Sequence, residues 1–86
     1  MKPYTVEIRP AARRDLRKLE KIDALRIANA VDSLVLNPRP SGSLKMKGKE
    51  GYYRLRVNEY RIIYDILDDK LIVLVVRVRH RKEAYR

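Results

Sequence analysis

Apolar and polar residues alternate with a period of two near the start of the chain and again through its second half. In residues 3–8 every second residue is apolar, namely Tyr4, Val6 and Ile8, a pattern that predicts a half-buried strand. The runs LKMKGKEGYYRLRV, YRIIYDIL and LIVLVVRV are also strand-like, and the short polar segments 58–59 and 68–70 separate them. Turns of that length join antiparallel strands, so the second half is predicted to form a three-stranded meander.

Between the first strand and the meander the spacing becomes helical. Ala12, Leu16 and Leu19 are four and three residues apart, which predicts an amphipathic helix from residue 11 to about residue 21, with Pro10 in its first turn. A second helix is predicted from an N-cap at Asp23 to the Asn-Pro sequence at 37–38, because proline disfavours helical backbone in the residue before it.

This order of elements predicts an α+β fold with the topology β-α-α-β-β-β. The N-terminal strand and the helical hairpin are expected to pack on one face of a small, mainly antiparallel four-stranded sheet. Residues 1–86 are predicted to form a single domain that ends in a short basic C-terminal tail.

Composition narrows the possible partners. The 86 residues include no cysteine, which excludes a disulfide framework and a thiolate metal site, and 21 basic against 11 acidic residues give a formal net charge of +10. The longest apolar run, residues 71–76, is too short to cross a bilayer and the N-terminus resembles no signal peptide, so a cytoplasmic protein without membrane contact is expected. A positive charge of this size attracts polyanions, and nucleic acid is the first candidate; the alternative is a generally basic surface or a complement to an acidic partner protein.

Alternation in the meander also predicts where its arginines point. Because Leu55 and Val57 belong to the apolar face, Arg54 and Arg56 lie on the opposite face. A two-residue turn at 58–59 places Arg56 directly across from Arg61. Like charges in that position destabilise a sheet, so the arrangement suggests that an anion binds there.

The third strand of the meander is apolar on both faces until Arg77, as expected for a central strand. Pairing Leu67 with Leu71 places Arg77 beside Arg61. Five arginines then project from one face, near a single acidic residue of the strands, Asp65: Arg54, Arg56, Arg61, Arg77 and Arg79. Guanidinium groups match phosphate oxygens, so this face predicts a phosphate site; the alternative is a solvated face whose repulsion water, chloride and Asp65 relieve.

Few other groups in the chain could carry chemistry. With His80 as the one histidine and no cysteine, we predict no metal site and no cofactor. RNA brings its own nucleophile, because a 2′-OH can attack the adjacent phosphate once the protein positions the chain and neutralises the developing charge. His80 is then the natural proton carrier, since arginine keeps its proton.

The C-terminal stretch interleaves basic residues with an aromatic ring. Arg81 and Lys82 precede Tyr85, and such a mixture is typical of proteins that bind single-stranded RNA, in which the ring stacks on a base. The alternative is a frayed basic terminus without a function of its own.

Residues 44–66 (LKMKGKEGYYRLRVNEYRIIYDI) and 78–86 (VRHRKEAYR), with the strand between them, resemble the RelE/ParE superfamily, and within it the RelE branch. The resemblance implies the toxin of a type II toxin-antitoxin pair, a metal-independent endoribonuclease that enters the ribosomal A site and cuts mRNA through 2′-OH attack. It also implies a RelB-like antitoxin as partner, with operator DNA bound only indirectly, through that antitoxin.

The resemblance assigns roles to individual residues. Arg61 would hold the scissile phosphate, Arg54 and Arg56 would orient the RNA and stabilise the transition state, and Arg81 would assist the leaving oxygen. His80 stands where some relatives have a proton-transfer histidine, and Tyr85 matches a tyrosine that stacks on mRNA. Further contacts to RNA and the ribosome are expected from other basic residues: Arg13, Arg14, Arg17, Lys45, Lys47, Lys49, Arg77, Arg79 and Lys82.

Two alternative functions stay open on sequence alone. The first is a ParE-like inhibitor that binds DNA gyrase and cleaves no RNA. The second is a module that binds RNA or the ribosome without any catalysis.

Overall fold

The computed structural model describes residues 2–48 and 51–83, which form two helices and one mixed β-sheet. Their order along the chain is β1 (Thr5–Ile8), α1 (Pro10–Arg17), α2 (Lys21–Ser33), β2 (Ser43–Lys45), β3 (Tyr52–Val57), β4 (Tyr60–Leu67) and β5 (Ile72–His80). The strands lie in the order β1-β5-β4-β3-β2. The predicted α+β class is confirmed, whereas the prediction of four strands is wrong because the sheet has five.

The additional strand comes from the run LKMKGKEGYYRLRV, which was predicted to be one strand. The chain instead folds back on itself, so that Ser43 pairs with Leu55 and Lys45 with Tyr53. Gly48 and Gly51 make this reversal possible, because both have positive φ (72° and 79°), a conformation that glycine adopts without steric cost. The sheet is mixed rather than wholly antiparallel because β1 pairs parallel to β5.

Both helices begin without a side-chain cap. Arg9 precedes α1, whose first residue is Pro10, and Glu20 occupies the N-cap of α2. The prediction that Asp23 caps the second helix is therefore wrong by one turn. Asp23 lies inside the first turn of α2, where its negative charge still interacts favourably with the helix dipole.

The core lies between the two helices and one face of the sheet. Ala12, Ile27, Val31 and Leu34 meet the inward-facing residues of the two longest strands, which are Ile62, Tyr64, Ile66, Val73, Val75 and Val78. The predicted inward facing of Leu55 and Val57 is confirmed, since both pack against this cluster together with Tyr53 and Tyr60. In the described part of the chain, neither helix has the length and apolar character needed to traverse a bilayer.

The pairing of β4 with β5 differs from the prediction. Leu67 lies across from Ile72 rather than Leu71, because the turn is one residue longer and ends at Leu71 with a φ of 54°. A β-bulge then shifts the register, so that Tyr64 faces Val75 while Ile63 faces Arg77. Arg61 consequently lies across from Arg79, and the prediction that Arg77 lies beside Arg61 is wrong.

Candidate nucleic-acid interface

Three arginines form a row across the face of the sheet that the helices leave open. Arg56 lies across from Arg61, and Arg61 lies across from Arg79. Cross-strand partners project from the same face, so β3, β4 and β5 each contribute one guanidinium to this row. The predicted pairing of Arg56 with Arg61 is confirmed.

A second row, one step along the strands, joins the arginines to an edge strand. Arg54 on β3 is flanked by Leu44 on β2 and by Ile63 on β4. The open face is therefore most basic where β3 ends and β4 begins. Farther along β4 the same face carries Asp65 and Leu67, whose partners are Leu74 and Ile72.

A cleft of about 230 Å³ lies over this basic part of the sheet, lined by Gly42, Leu44, Arg54, Arg56 and Arg61. An adjoining cleft of about 470 Å³ shares Leu44 and Arg54 with it and adds Lys45, Met46 and Lys47. The two share a wall, and five basic side chains border them. Together they are called the arginine cleft below.

The loop that forms one wall of the arginine cleft is held to the sheet by side chains. The buried hydroxyl of Tyr64 donates a hydrogen bond of 2.8 Å to the carbonyl of Pro38. Arg39 donates from Nε to the hydroxyl of Tyr53 (3.1 Å) and from Nη2 to Oδ2 of Asp68 (2.8 Å). These contacts fix residues 38–39, from which the chain leads to Gly42 and Leu44.

The opposite charges of Arg39 and Asp68 stabilise each other's ionised form. Hydrogen bonds from Arg39 and from Tyr4 lower the pKa of Asp68, and the hydrogen bond to Asp68 raises the pKa of Tyr4. The same carboxylate raises the pKa of Arg39 further above its ordinary value. Both Arg39 and Asp68 therefore stay ionised at neutral pH.

Two arginines of the cleft have no carboxylate partner in the described part of the chain. No aspartate or glutamate among residues 2–48 and 51–83 lies within ion-pair distance of Arg54 or Arg56. Their charges add to that of Arg61, which lines the same cleft. Such a group of guanidiniums presents forked donors to an incoming phosphate.

Three other arginines of the predicted site each contact a carboxylate. Arg77 donates to Asp15 of α1 through Nε (2.8 Å) and Nη2 (3.1 Å), instead of accompanying Arg61. Arg79 pairs with Glu83 (3.1 Å), and Arg81 approaches Glu59 (3.8 Å) while its amide donates to the carbonyl of Glu59. Arg81 is thereby tied to the β3–β4 turn, next to the row of Arg56 and Arg61.

Asp15 serves two donors at once. Its Oδ2 also accepts the amide of Val78 at 2.9 Å. Burial by itself would raise the pKa of Asp15, but hydrogen bonds from Arg77 and Val78 and the positive charges of Arg77 and Arg79 hold it below its usual value. Asp15 is therefore ionised at neutral pH.

His80 lies on the opposite side of the sheet from the cleft. It pairs with Tyr60, whose ring it meets edge to face at 5.2 Å, and Tyr60 packs against the core. Its Nδ1 accepts the amide of Lys82 at 3.1 Å. His80 instead lines a separate cleft of about 270 Å³ with Asp15, Arg77 and Glu83, so the structure does not bring it to Arg54, Arg56 and Arg61 as the predicted proton carrier requires.

The other predicted contacts are spread over the surface. Arg13, Arg14 and Arg17 are exposed on α1, which contributes no residue to the arginine cleft, and Lys82 is exposed beyond β5. Tyr85 and Lys49 lie outside the described residues. Among residues 2–48 and 51–83, no three His, Cys, Asp or Glu side chains form a group that could hold a metal ion.

Sequence reasoning missed four residues that shape the interface. Gly42 and Leu44 line the cleft, Arg39 anchors their loop, and Asp15 contacts β5. The proline-rich loop carried a weak signal, because Arg39 stands between Pro38 and Pro40. Asp15 carried none beyond being the single acidic residue between Arg9 and Leu19.

Comparison with known proteins gives consistent matches along the chain. Residues 6–85 match the family described as ParE toxin of type II toxin-antitoxin system, parDE. The chain is 36% identical to Toxin RelG of Mycobacterium tuberculosis over 98% of both proteins. It is 28% identical to the mRNA interferase toxin RelE of Escherichia coli, covering 95% of this chain and 90% of that protein.

A solved structure gives the same result for the fold. The toxin-antitoxin complex RelBE2 of Mycobacterium tuberculosis contains a chain that superposes with a TM-score of 0.81 at 32% identity, covering 92% of this chain and 99% of that one. Both the sequence and the arrangement of elements therefore agree with the resemblance found in residues 44–66 and 78–86. The chain belongs to the RelE/ParE superfamily of toxins from type II toxin-antitoxin systems, and it is RelE-like.

Proposed function

We propose that this toxin is a ribosome-dependent endoribonuclease that cuts mRNA in the A site and so inhibits translation. The observation that carries the proposal is the convergence of Arg54, Arg56 and Arg61 on one cleft. An RNA backbone supplies the phosphate that such a cleft fits. A relative named mRNA interferase supports the same conclusion.

The proposed reaction uses the substrate's own hydroxyl. The 2′-oxygen loses its proton and forms a bond to the adjacent phosphorus, and the bond from phosphorus to the 5′-oxygen breaks as that oxygen gains a proton. Negative charge grows on the phosphoryl oxygens as the new bond forms. Fixed cations placed around that charge lower the barrier, and one such donor is typically worth about 100- to 1,000-fold in rate.

Each arginine has a role set by its place in the cleft. Arg61, on β4 between Arg56 of β3 and Arg79 of β5, would hold the scissile phosphate. Arg54 and Arg56, two residues apart on β3, would orient the RNA and stabilise the transition state. Arg81 would assist the leaving oxygen from the neighbouring β3–β4 turn, to which Glu59 ties it. We assign His80 no role in the cleft, because it lies on the opposite face of the sheet beside Tyr60.

Other basic residues would bind the ribosome and the flanking message. Lys45 and Lys47 border the arginine cleft, and Leu44, 54% exposed between them and Arg54, offers an apolar surface for a ribose or base. Arg13, Arg14, Arg17 and Lys82 would contact ribosomal RNA, with Arg79, Lys49 and Tyr85 completing the contacts to mRNA. The substrate and the ribosome would be met in the cytoplasm.

A RelB-like antitoxin is the proposed partner that neutralises the toxin. A solved relative is described as a toxin-antitoxin complex, and a formal charge of +10 favours an acidic antitoxin segment. Operator DNA would be bound through the antitoxin. Co-expression with a RelB-like protein should restore growth and yield a complex that copurifies at low salt.

Mapping mRNA ends on programmed ribosomes tests the nuclease proposal directly. Purified toxin should produce new ends within the A-site codon, and Arg61→Ala should slow cleavage by about 100-fold or more. Arg26→Ala is a matched control, because Arg26 is half exposed on α2 and only weakly paired with Asp23 at 3.8 Å. Intact message with wild-type toxin would refute the proposal.

The match to the ParE family favours gyrase inhibition as the second candidate. A ParE-like toxin would block DNA supercoiling by gyrase and leave the message intact. A pure RNA-binding module would bind programmed ribosomes, yet neither cleave mRNA nor affect gyrase. Supercoiling and cleavage assays on the same preparation separate the three functions.

A further inference from the structure

The bulge in β5 decides which side chains join the arginine row. Tyr64 pairs with Val75 and Ile63 with Arg77, so Val76 is an extra residue on β5. Before the bulge Val73 and Val75 face the helices, and after it Val78 does. The strand thereby exchanges its two faces without breaking the ladder.

Without the extra residue Val76, β4 and β5 would pair in a different register beyond the bulge. The register of Leu67 with Ile72, continued without a shift, would set Arg61 across from Val78 and Ile62 across from Arg77. Ile62 is fully buried, so this register would drive the guanidinium of Arg77 toward the core, at high cost. It would also turn Arg79 away from Arg56 and Arg61.

Asp15 accepts a backbone hydrogen bond from β5 two residues after the extra residue Val76. On the side of β5 away from β4, the parallel neighbour β1 ends where Ile8 pairs with Val75. Beyond that point the amide of Val78 has no strand partner and donates to Oδ2 of Asp15 at 2.9 Å. The same carboxylate, only 12% exposed, also holds Arg77 at 2.8 Å. A carboxylate on α1 thus accepts a hydrogen bond that a neighbouring strand would otherwise accept.

We propose that Asp15 is a positioning residue for the arginine cleft: by holding the β5 bulge it keeps Arg79 in line with Arg61 and Arg56. Asp15 itself contacts none of the three and lies on a different element from all of them. The inference rests on the proposed function only in taking a single-stranded RNA as the polyanion. Its geometric part is independent of any nuclease activity.

From this position the guanidinium of Arg79 can bind an RNA phosphate. Its ion pair with Glu83 joins side chains that are 33% and 53% exposed, four residues apart. Ion pairs of this kind contribute little to stability, so a phosphate oxygen can take the place of the carboxylate. The number of cations that face RNA therefore depends on the register that Asp15 maintains.

Cross-strand backbone NOEs test the geometric part. The wild-type protein should show NOEs between Arg61 and Arg79 and none between Arg61 and Val78. In Asp15→Ala the Arg61–Arg79 NOEs should weaken or disappear. In Asp15→Asn these NOEs should persist, because the side-chain amide oxygen still accepts the Val78 N–H. Asp15→Asn loses the same negative charge as Asp15→Ala, so the comparison isolates the hydrogen bond. Unchanged NOEs in Asp15→Ala would overturn the proposal.

The salt dependence of binding to a uridine dodecamer tests the consequence. Each phosphate contact contributes about 0.7 to the slope of log K against log salt for a single strand. Asp15→Ala should have a slope about 0.7 smaller than Asp15→Asn. Adding Arg79→Ala should lower the slope in the Asp15→Asn background and leave it unchanged in the Asp15→Ala background.

Other outcomes separate this inference from the proposed function. The positioning role of Asp15 would be overturned if the salt-dependence slopes of Asp15→Ala and Asp15→Asn were equal. It would also be overturned if Arg79→Ala changed the slope equally in both backgrounds. Either result would count even if wild-type toxin cleaves mRNA. A toxin that binds the dodecamer but cleaves no message refutes only the nuclease proposal. If Asp15→Ala does not fold in buffer, the same NOEs are measured in trimethylamine N-oxide, an osmolyte that favours the folded state because it is excluded from the protein surface; Arg61–Arg79 NOEs as strong there as in wild type would overturn the inference.

Discussion

Arg56 of β3 lies directly across from Arg61 of β4, and both line the same cleft. Natural sheets avoid like charges in this relation, because the pair is destabilising by a few tenths of a kcal/mol or more. The protein tolerates the repulsion at a position where its helices leave the sheet uncovered. An anion that binds between the two guanidiniums would relieve it.

Inorganic phosphate is therefore expected to stabilise the toxin beyond the effect of ionic strength. At equal ionic strength, the melting temperature should be higher in phosphate than in sodium chloride, because a bound anion shifts the equilibrium toward the folded state. Differential scanning calorimetry across a phosphate series measures the shift.

Arg56→Gln should reduce that phosphate effect and, at low salt, leave the protein equally or slightly more stable. Arg26→Gln removes the same charge from α2 and is expected to keep the full phosphate effect. A phosphate shift that is identical in both variants would argue against an anion site at Arg56.

The pH dependence of stability should reveal Asp15. Its pKa is lowered in the folded state despite its burial, chiefly by hydrogen bonds from Arg77 and Val78. A depressed carboxyl pKa adds stability above the unfolded value near 3.9, and that stability is lost as the pH falls through the folded pKa. Asp15→Asn should therefore be less stable than wild type at pH 7, and the difference should shrink below about pH 4. Urea unfolding between pH 2.5 and 7 measures it.

Asp69→Asn is the matched control for this experiment. Asp69 is exposed in the β4–β5 turn and forms no ion pair within the described residues. Its variant should follow the wild-type pH profile. If the difference in unfolding free energy between wild type and Asp15→Asn stayed constant down to pH 2.5, the lowered pKa of Asp15 would be contradicted.

Tyr64→Phe should cost about 1–2 kcal/mol of unfolding free energy. The lost hydroxyl leaves the buried carbonyl of Pro38 without its 2.8 Å donor, and an unsatisfied buried acceptor is expensive. Tyr53→Phe deletes a hydroxyl that only accepts from the exposed Arg39, so a smaller loss is expected. Urea denaturation measures the unfolding free energy of both variants. Equal losses of unfolding free energy would show that the hydrogen bond from Tyr64 to Pro38 contributes no more than the exposed one between Arg39 and Tyr53.

The β3–β4 turn should tolerate glycine but not a branched residue at position 58. Asn58 has a φ of 56°, in a region that asparagine and glycine enter readily and valine does not. Asn58→Val should cost about 1 kcal/mol or more, whereas Asn58→Gly should be neutral. Thermal unfolding tests stability, and loss of mRNA cleavage in Asn58→Val alone would link this turn to the pairing of Arg56 with Arg61.

Local patterns were sufficient for much of the fold. The alternation in β3 and β4 predicts which face each residue takes, since neighbouring side chains of a strand always point to opposite sides. The two-residue turn at 58–59 then fixes the register of Arg56 with Arg61. Three of the eight residues that line the arginine cleft, Arg54, Arg56 and Arg61, follow from these two facts alone.

The same reasoning failed where the pattern was ambiguous. In β5 both faces are apolar up to Val76, so no local signal marked the bulge or argued against the pairing of Leu67 with Leu71. The run before β3 was misassigned because alternation says nothing about whether a chain continues or turns back at Gly48 and Gly51. The predicted outward facing of Arg79 already implied, by alternation, that His80 lies on the opposite face, and the predicted role of His80 as proton carrier did not take this into account.

The sequence by itself determined the element types, the basic character of the open face and the facing of Arg56 and Arg61, because these depend on residues close together in the chain. Only the tertiary structure decided the register of β5, the alignment of Arg79 and the loop that closes the cleft. Those features depend on contacts between distant residues, such as Asp15 with Val78 and Tyr64 with Pro38, and no local periodicity encodes such contacts.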